Sequence, residues 1–242
     1  MTTRGAYLMN LGLVPYGEAF ELQRSVAGAV SQGAVPETVI LLEHPPVVTI
    51  GRRTESSIEL HIPEDAEVEI AETDRGGKST FHGPGQLVCY PILDLTRHGK
   101  DVKRYVRDLE EALIRTLAAF GLEGTRYDGL TGVWMPPAGG QGPRKIASIG
   151  VHVSRWVTTH GYALNVDLDP APFTEWITAC GLENAQFTTM ARELDRTLTV
   201  ADVRPAAIEA IADVFGLQLD AIPADDGVGL WPQTIHASLA ER

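Results

Sequence analysis

Cysteine is scarce in this chain. Only Cys89 and Cys180 occur in 242 residues, with no C-x-x-C, which excludes a disulfide scaffold and a zinc ribbon and leaves each thiol to be judged singly. Long apolar runs are also missing: the longest purely aliphatic one is Val39 to Leu42, and Ala6 to Val14 is interrupted by Asn10 and Gly12. Neither a membrane span nor a signal peptide is expected, and the expected location is the cytoplasm. Basic side chains are in deficit, 20 against 32 acidic for a net charge of −12, so the surface repels polyanions and nucleic acid is not an expected partner. The histidines form no i, i+4 pair and no H-E-x-x-H order, so no metal site is expected. What is present is ordinary for a globular protein, 44% hydrophobic and 21% charged, which excludes disorder for most of the chain.

Helical periodicity runs from Tyr16 to Gln32, with Gly33 placed as a stop. Thr38 to Leu42 and Val47 to Ile50 are β-branched and aliphatic, and His44-Pro45-Pro46 between them forbids one continuous element, so two strands are predicted. Glu55 to Asp74 carries many acidic residues and reads as a solvated loop containing one alternating stretch, Val68 to Thr73. Gln86 to Leu95 reads as a strand and Asp101 to Phe120 as an amphipathic helix ended by Gly121. Strand signals return at Gly132 to Met135, Lys145 to Val153 and Tyr162 to Val166, with the Pro136 to Pro143 segment as a loop. Thr199 and Asp202 resemble a capping box for a last helix that Gly216 terminates. Strands interleaved with helices, including hairpin-like neighbours, predict a single α+β domain with a mixed sheet flanked by helices, covering residues 1–220 and followed by a tail over 221–242.

Several residues could carry chemistry. Gly76-Gly77-Lys78-Ser79 looks like the end of a P-loop, but Glu72 stands where that motif needs glycine. Two glycine clusters remain, Arg75-Gly76-Gly77 and His82-Gly83-Pro84-Gly85-Gln86, either ordinary turns or loops that let backbone approach a ligand. His82 is a base or a turn residue bonded to backbone. Cys89, inside Leu87-Val88-Cys89-Tyr90, reads as a quiet strand filler. Cys180 closes a short helical stretch that begins at Asp169-Pro170; a helix carboxyl end disfavours a thiolate, so a reactive Cys180 needs a cation from elsewhere. Lys145 opens an otherwise apolar strand and is either a snorkelling surface residue or a positioned ammonium. A Cys/His pairing of Cys180 with His82 or His160 stays open as a rival.

Taken in order, Leu41-Leu42-Glu43-His44-Pro45-Pro46, Arg75-Gly76-Gly77-x-x-Thr80-Phe81-His82-Gly83-Pro84-Gly85-Gln86-Leu87-Val88, Lys145-Ile146-Ala147-Ser148-Ile149-Gly150, His160-Gly161-Tyr162-Ala163-Leu164-Asn165-Val166 and Ala179-Cys180-Gly181 resemble the octanoyltransferases of lipoate biosynthesis. The resemblance spans about Leu41 to Leu182 and implies a fold similar to that of biotin and lipoate protein ligases. It implies transfer of an octanoyl group from acyl carrier protein to a lysine of lipoyl domains, those of 2-oxoacid dehydrogenase E2 subunits and the glycine cleavage H protein. The nucleophile falls on Cys180 and the acid/base lysine on Lys145. The acyl-binding segments fall on Arg75, Gly76, Gly77, Lys78, Ser79, Thr80, Phe81 and His82, on Ser148, Ile149 and Gly150, and on Gly161, Tyr162 and Ala163. The family usually has Tyr where Phe81 stands.

That activity exchanges one thioester for another, so no cofactor, ATP or metal is implied. Lys145 would then be the cation that the thiol requires. Acidic protein partners should be repelled by a chain of this charge, which predicts a local basic rim drawn from Arg52, Arg53, Arg75, Lys78, Arg144 and Lys145. The alternatives are an ATP-dependent lipoate or biotin ligase, which needs no Cys180, and a non-catalytic carrier-protein binding module.

Overall fold

The computed structural model describes residues 3–54, 60–140, 142–177 and 186–223. In chain order the elements are β1 (Arg4–Leu13), α1 (Tyr16–Ser31), β2 (Thr38–Glu43), β3 (Val47–Ile50), β4 (Glu69–Glu72), β5 (Thr80–His82) and β6 (Gln86–Ile92). There follow α2 (Val102–Ala118), β7 (Thr125–Tyr127), β8 (Leu130–Met135), β9 (Arg144–Ser154), β10 (Val157–Asn165) and α3 (Pro172–Glu175). The last are β11 (Gln186–Phe187), α4 (Met190–Leu194), α5 (Val200–Phe215) and β12 (Leu217–Ile222).

Among the described residues one mixed sheet runs in the order β12-β1-β2-β6-β10-β9-β8-β7. The pairs β1–β12 and β1–β2 are parallel, and the remaining neighbours along that path are antiparallel. After Leu164, which pairs with Ala147, β10 gives up its place beside β9 and β11 takes it, parallel, with Phe187 opposite Lys145. A second, small sheet has the order β4-β3-β5.

Period-two alternation explains the layering. On β6, Leu87 and Cys89 join the core under α2 and α5, whereas Val88, Tyr90 and Ile92 join the core under α1. The two cores sandwich the sheet between α2 and α5 on one face and α1 on the other. A third cluster, Val48, Phe81, Leu168, Phe173 and Ile177, ties the small sheet to α3.

Side-chain caps set the starts of α2 and α5, the second as the sequence predicts. The Asp101 carboxylate accepts from Arg104 N at 3.0 Å and caps α2. Thr199 and Asp202 form the reciprocal capping box of α5, and Gly216 ends it in the left-handed region at φ 63°. No helix of the described residues is long and apolar enough to cross a membrane.

Two elements differ from the sequence reading. Arg4–Leu13 is a strand, buried on one side by α1, although Asn10 and Gly12 break its apolar pattern. β12 pairs with it and carries regular structure to Ile222, past the expected domain end at 220. Such parallel pairing is set by tertiary contact and has no local turn to announce it. The closing residues of the stretch that starts at Asp169-Pro170, Cys180 among them, lie outside the described residues, as does most of the tail.

Candidate active site

A cavity of about 70 Å³ opens on the α1 face of the large sheet, between β6, β9 and β10 below and the β5 edge of the small sheet above. Its lining brings together Arg75, Gly77, Lys78, Ser79, Thr80 and His82 from the first predicted segment. From the other two come Ser148, Ile149, Gly150, Gly161, Tyr162 and Ala163, with Lys145 at one side. Two predicted residues are absent from the lining. Gly76 packs against β9, its N–H donating to Val151 O at 2.9 Å. Phe81 turns the other way on β5, edge-on to Phe173 and Trp176. Tyr16, Val88, Tyr90 and His160 complete the wall.

The floor is shaped by missing side chains. Gly161 pairs with Gly150 and Ala163 with Ser148 across β10 and β9, so small residues occupy two successive rows. A Cβ on Gly150 would stand 3.0 Å from Gly76 O, which shows how closely the glycine loop lies on the sheet.

Arg75 is the rivet of that loop. Its guanidinium donates to Thr49 O at 2.8 Å, Thr49 Oγ1 at 2.7 Å and Lys78 O at 2.8 Å, and the side chain is buried between the two sheets. Arg144 is likewise buried, held by Glu193 through two 2.8 Å contacts. These observations correct the expected basic rim: Arg75 and Arg144 are internal and committed, and Lys145 is 4% exposed, which leaves Arg52, Arg53 and Lys78 nearer to solvent. A guanidinium stripped of water needs several acceptors, and the interior supplies them.

Lys145 reaches the cavity past Trp134, its Nζ 5.3 Å from the ring centroid. Room for its stem comes from Gly132 at φ 116°, where a Cβ would meet Lys145 Cε at 3.0 Å and Ala147 O at 2.5 Å. The residue is therefore buried and not the snorkelling surface lysine that its strand-mouth position also allowed.

A histidine and tyrosine box closes the far wall. His44 Nδ1 donates to Val14 O at 2.7 Å, so its Nε2 accepts from the Tyr90 hydroxyl at 2.7 Å. Burial pushes the His44 imidazole down to about 4, and burial with the neighbouring His44 and Arg75 pushes His82 down to about 3. Both are neutral at pH 7. His160 sits in the left-handed region at φ 57°, a strained position for a non-glycine residue in a strand. Its N–H donates to Gln23 Oε1 at 2.6 Å, and its Nε2 lies 2.7 Å from Asp74 Oδ1. That contact is the main cause holding the Asp74 carboxyl below its usual range, whereas burial lowers His160 despite it. Cys89 is fully buried and its thiol is pushed up to about 12 by burial, which fits a quiet filler. Among the described residues no three His, Cys, Asp or Glu side chains group to hold a metal ion.

The family model for the lipoyl protein ligase A/B catalytic domain matches residues 15–212. An octanoyltransferase of Mycobacterium leprae is 50% identical over 205 residues, covering 85% of this chain and 86% of that one. The chain belongs to the octanoyltransferase family. A second member, from Geobacter sulfurreducens, is 44% identical over 233 residues, covering 95% of this chain and 93% of its own. In three dimensions the fold is that of a bipartite lipoate protein ligase from Thermoplasma acidophilum, with a TM-score of 0.70 over 98% of this chain and 91% of that one at 16% identity. The octanoyltransferase and the ligase thus share an architecture, and the names of the 44–50% identical relatives separate them.

Sequence reasoning missed Tyr16 and Tyr90 as parts of this wall, and His44 as the residue bonded behind Tyr90. Tyr16 stands at the start of α1 like any apolar anchor, and only the approach of β5 to α1 makes it a site residue.

Proposed function

We propose that this octanoyltransferase carries its acyl group as a thioester on Cys180, taken from acyl carrier protein and delivered to the lysine of a lipoyl domain, with Lys145 as the acid and base for both halves. The donor and the acceptors, E2 subunits of 2-oxoacid dehydrogenases and the glycine cleavage H protein, place the reaction in the cytoplasm.

In the first half the Cys180 thiolate attacks the carrier thioester. The carbon–sulfur bond to phosphopantetheine breaks, and the Lys145 ammonium protonates the departing thiolate. In the second half the acceptor amine attacks the new thioester, neutral Lys145 takes the proton of the resulting ammonium, and the Cys180 thiolate leaves. The products are an amide and a free carrier thiol, and both enzyme groups return to their starting state. The acyl group arrives activated, so neither ATP nor a metal is required.

The observation that carries the reading is the burial of Lys145 against a cavity walled by small and aromatic residues. Phe187, seven positions after Cys180 in the sequence, pairs directly with Lys145, which supports the reading. An octanoyl tail contributes roughly 5 kcal/mol of burial at about 0.8 kcal/mol per methylene, which the apolar wall can accept.

Intact-mass measurement after incubation with octanoyl carrier protein, without ATP, tests the proposal. A hydroxylamine-labile octanoyl adduct that disappears in Cys180→Ala and persists in Cys89→Ala is expected. An adduct that survives Cys180→Ala overturns it.

A further inference from the structure

A run of buried amides fixes which nitrogen of His82 carries its proton. The Thr188 carbonyl can only accept, so the Asn165 amide must turn its Nδ2 toward it, at 3.1 Å. Asn165 Oδ1 then accepts from Gln86 Nε2 at 2.9 Å, which leaves Gln86 Oε1 facing His82 Nδ1 at 2.7 Å. Reversing the amides would set the Asn165 oxygen against the Thr188 oxygen. His82 is therefore the Nδ1–H tautomer. Its Nε2 is a lone-pair nitrogen on a buried residue that lines the cavity, and it makes no hydrogen bond among the described residues.

The rest of the lining shows what such an acceptor suits. Arg75 and Lys78 bring positive charge, and no Asp or Glu lines the cavity among the described residues. An incoming lysine is mostly ammonium in water and has no lone pair with which to attack. Fixed cations favour its loss of a proton to solvent, whereas a carboxylate would hold the ammonium. A neutral imidazole nitrogen can take one N–H of the amine and leave the amine lone pair directed at the acyl carbon.

We propose that His82 Nε2 is the hydrogen-bond acceptor that orients the substrate lysine's amino group for attack, and that Gln86 and Asn165 are positioning residues that lock His82 in that tautomer. The inference rests on the octanoyl-transfer reading. The nitrogen–carbon bond forms as the carbon–sulfur bond breaks, and the proton released by the nitrogen goes to Lys145. His82 keeps its hydrogen bond to the remaining N–H and takes no proton. Its depressed proton affinity agrees with that passive role.

Nitrogen-15 spectra of histidine-labelled protein read the tautomer without substrate: a protonated Nδ1 and a bare Nε2 on His82 are expected, and a protonated Nε2 at neutral pH overturns the inference. The kinetic arm compares His82→Gln, which keeps a neutral acceptor, with His82→Leu, which has none. Transfer from preformed acyl-enzyme to a lipoyl domain should fall about 10-fold or more in His82→Leu and recover in part in His82→Gln, as for one lost hydrogen bond to a reacting group. Acyl-enzyme formation should change far less. Equal losses in both half-reactions, or no loss in transfer, overturn the inference. Gln86→Glu places a carboxylate against Nδ1–H and should raise the imidazole's proton affinity, so transfer becomes pH-dependent near neutrality; an unchanged pH profile counts against Gln86 as a positioning residue. If wild-type protein forms no acyl-enzyme, the thioester step fails on its own, and the tautomer with the kcat ordering at saturating acceptor still decides the role of His82.

Discussion

Thr188 donates its backbone N–H to the carbonyl of Lys145 at 3.0 Å, and its hydroxyl donates to Glu193 Oε1 at 2.7 Å. Through Glu193 the same residue is linked to Arg144, whose guanidinium meets both carboxylate oxygens. Arg144 precedes Lys145 on β9, and Thr188 follows β11, the strand paired with Lys145. The first prediction concerns this clamp. Glu193→Gln keeps the shape and one acceptor but removes the charge, leaving a buried guanidinium with weaker partners. It should destabilise the protein by about 2 kcal/mol, a fall of a few degrees in Tm for a chain of this size, and lower octanoyl transfer with it. Thermal unfolding beside a steady-state assay checks both, and unchanged activity would show that the clamp does not position Lys145.

The second prediction follows from the burial of Lys145. On the proposed mechanism, Lys145→Ala removes the ammonium that favours the Cys180 thiolate and protonates the leaving thiolate. Acylation at neutral pH should fall by about 100-fold or more, within the range general acid–base catalysis supplies, and recover in part as pH rises and the thiol ionises unaided. Acyl-enzyme formation followed by mass against pH measures this, and a loss that is flat across pH would indicate a purely spatial role.

Gly132 supplies the third. Alanine there must adopt φ near 116° and place its Cβ 2.5 Å from Ala147 O and 3.0 Å from Lys145 Cε. The first contact strains the β8–β9 pairing and the second displaces the lysine stem. Gly132→Ala should cost about 2 kcal/mol of stability and reduce turnover beyond what the loss of folded protein explains. Activity normalised to the folded fraction separates the two effects.

How far the site was legible in the sequence varies with the range of the interaction. The residues alone leave the glycine loop, Lys145 and the Gly161 segment open between a ligand site and ordinary turns or a surface lysine, and only the family resemblance assigns them to the site. The helices over Tyr16–Ser31 and Val102–Ala118 were readable from period, and the cap of Val200–Phe215 from Thr199 and Asp202. β1 and β12 were not, because a parallel pair far apart in sequence has no turn signal, and Asn10 and Gly12 obscure the alternation. His82 reads as a base or as a turn residue bonded to backbone, since glycine neighbours are all the sequence displays, and only the resemblance puts it in the acyl-binding segment. In the fold it ends β5 and meets Gln86, four positions on across a tight turn, and through it Asn165 on another strand. Arg75 and Arg144 were read as surface charge because nothing local shows that Thr49 and Glu193 will enclose them.

The last prediction concerns acid. His44 is buried and hydrogen-bonded through both ring nitrogens, and burial lowers its pKa from 6.5 to about 4. Folded protein therefore binds the proton more weakly than unfolded protein does. The neutral imidazole's contribution to stability is complete above pH 6.5, declines as pH falls below it, and is spent by about pH 4. A drop of that size corresponds to about 3 kcal/mol for the group taken alone. His82 is lowered in the same direction and feels His44 directly, so the two titrate as a pair and their separate contributions do not simply add. Urea unfolding between pH 7 and pH 4.5 should show stability falling with acid. His44→Gln, which can still donate to Val14 O and accept from Tyr90, should flatten that slope by about 2 kcal/mol over the interval. An equally steep slope in the variant would place the acid sensitivity elsewhere, among carboxylates such as Glu193 whose pKa is held low by its pairing with Arg144.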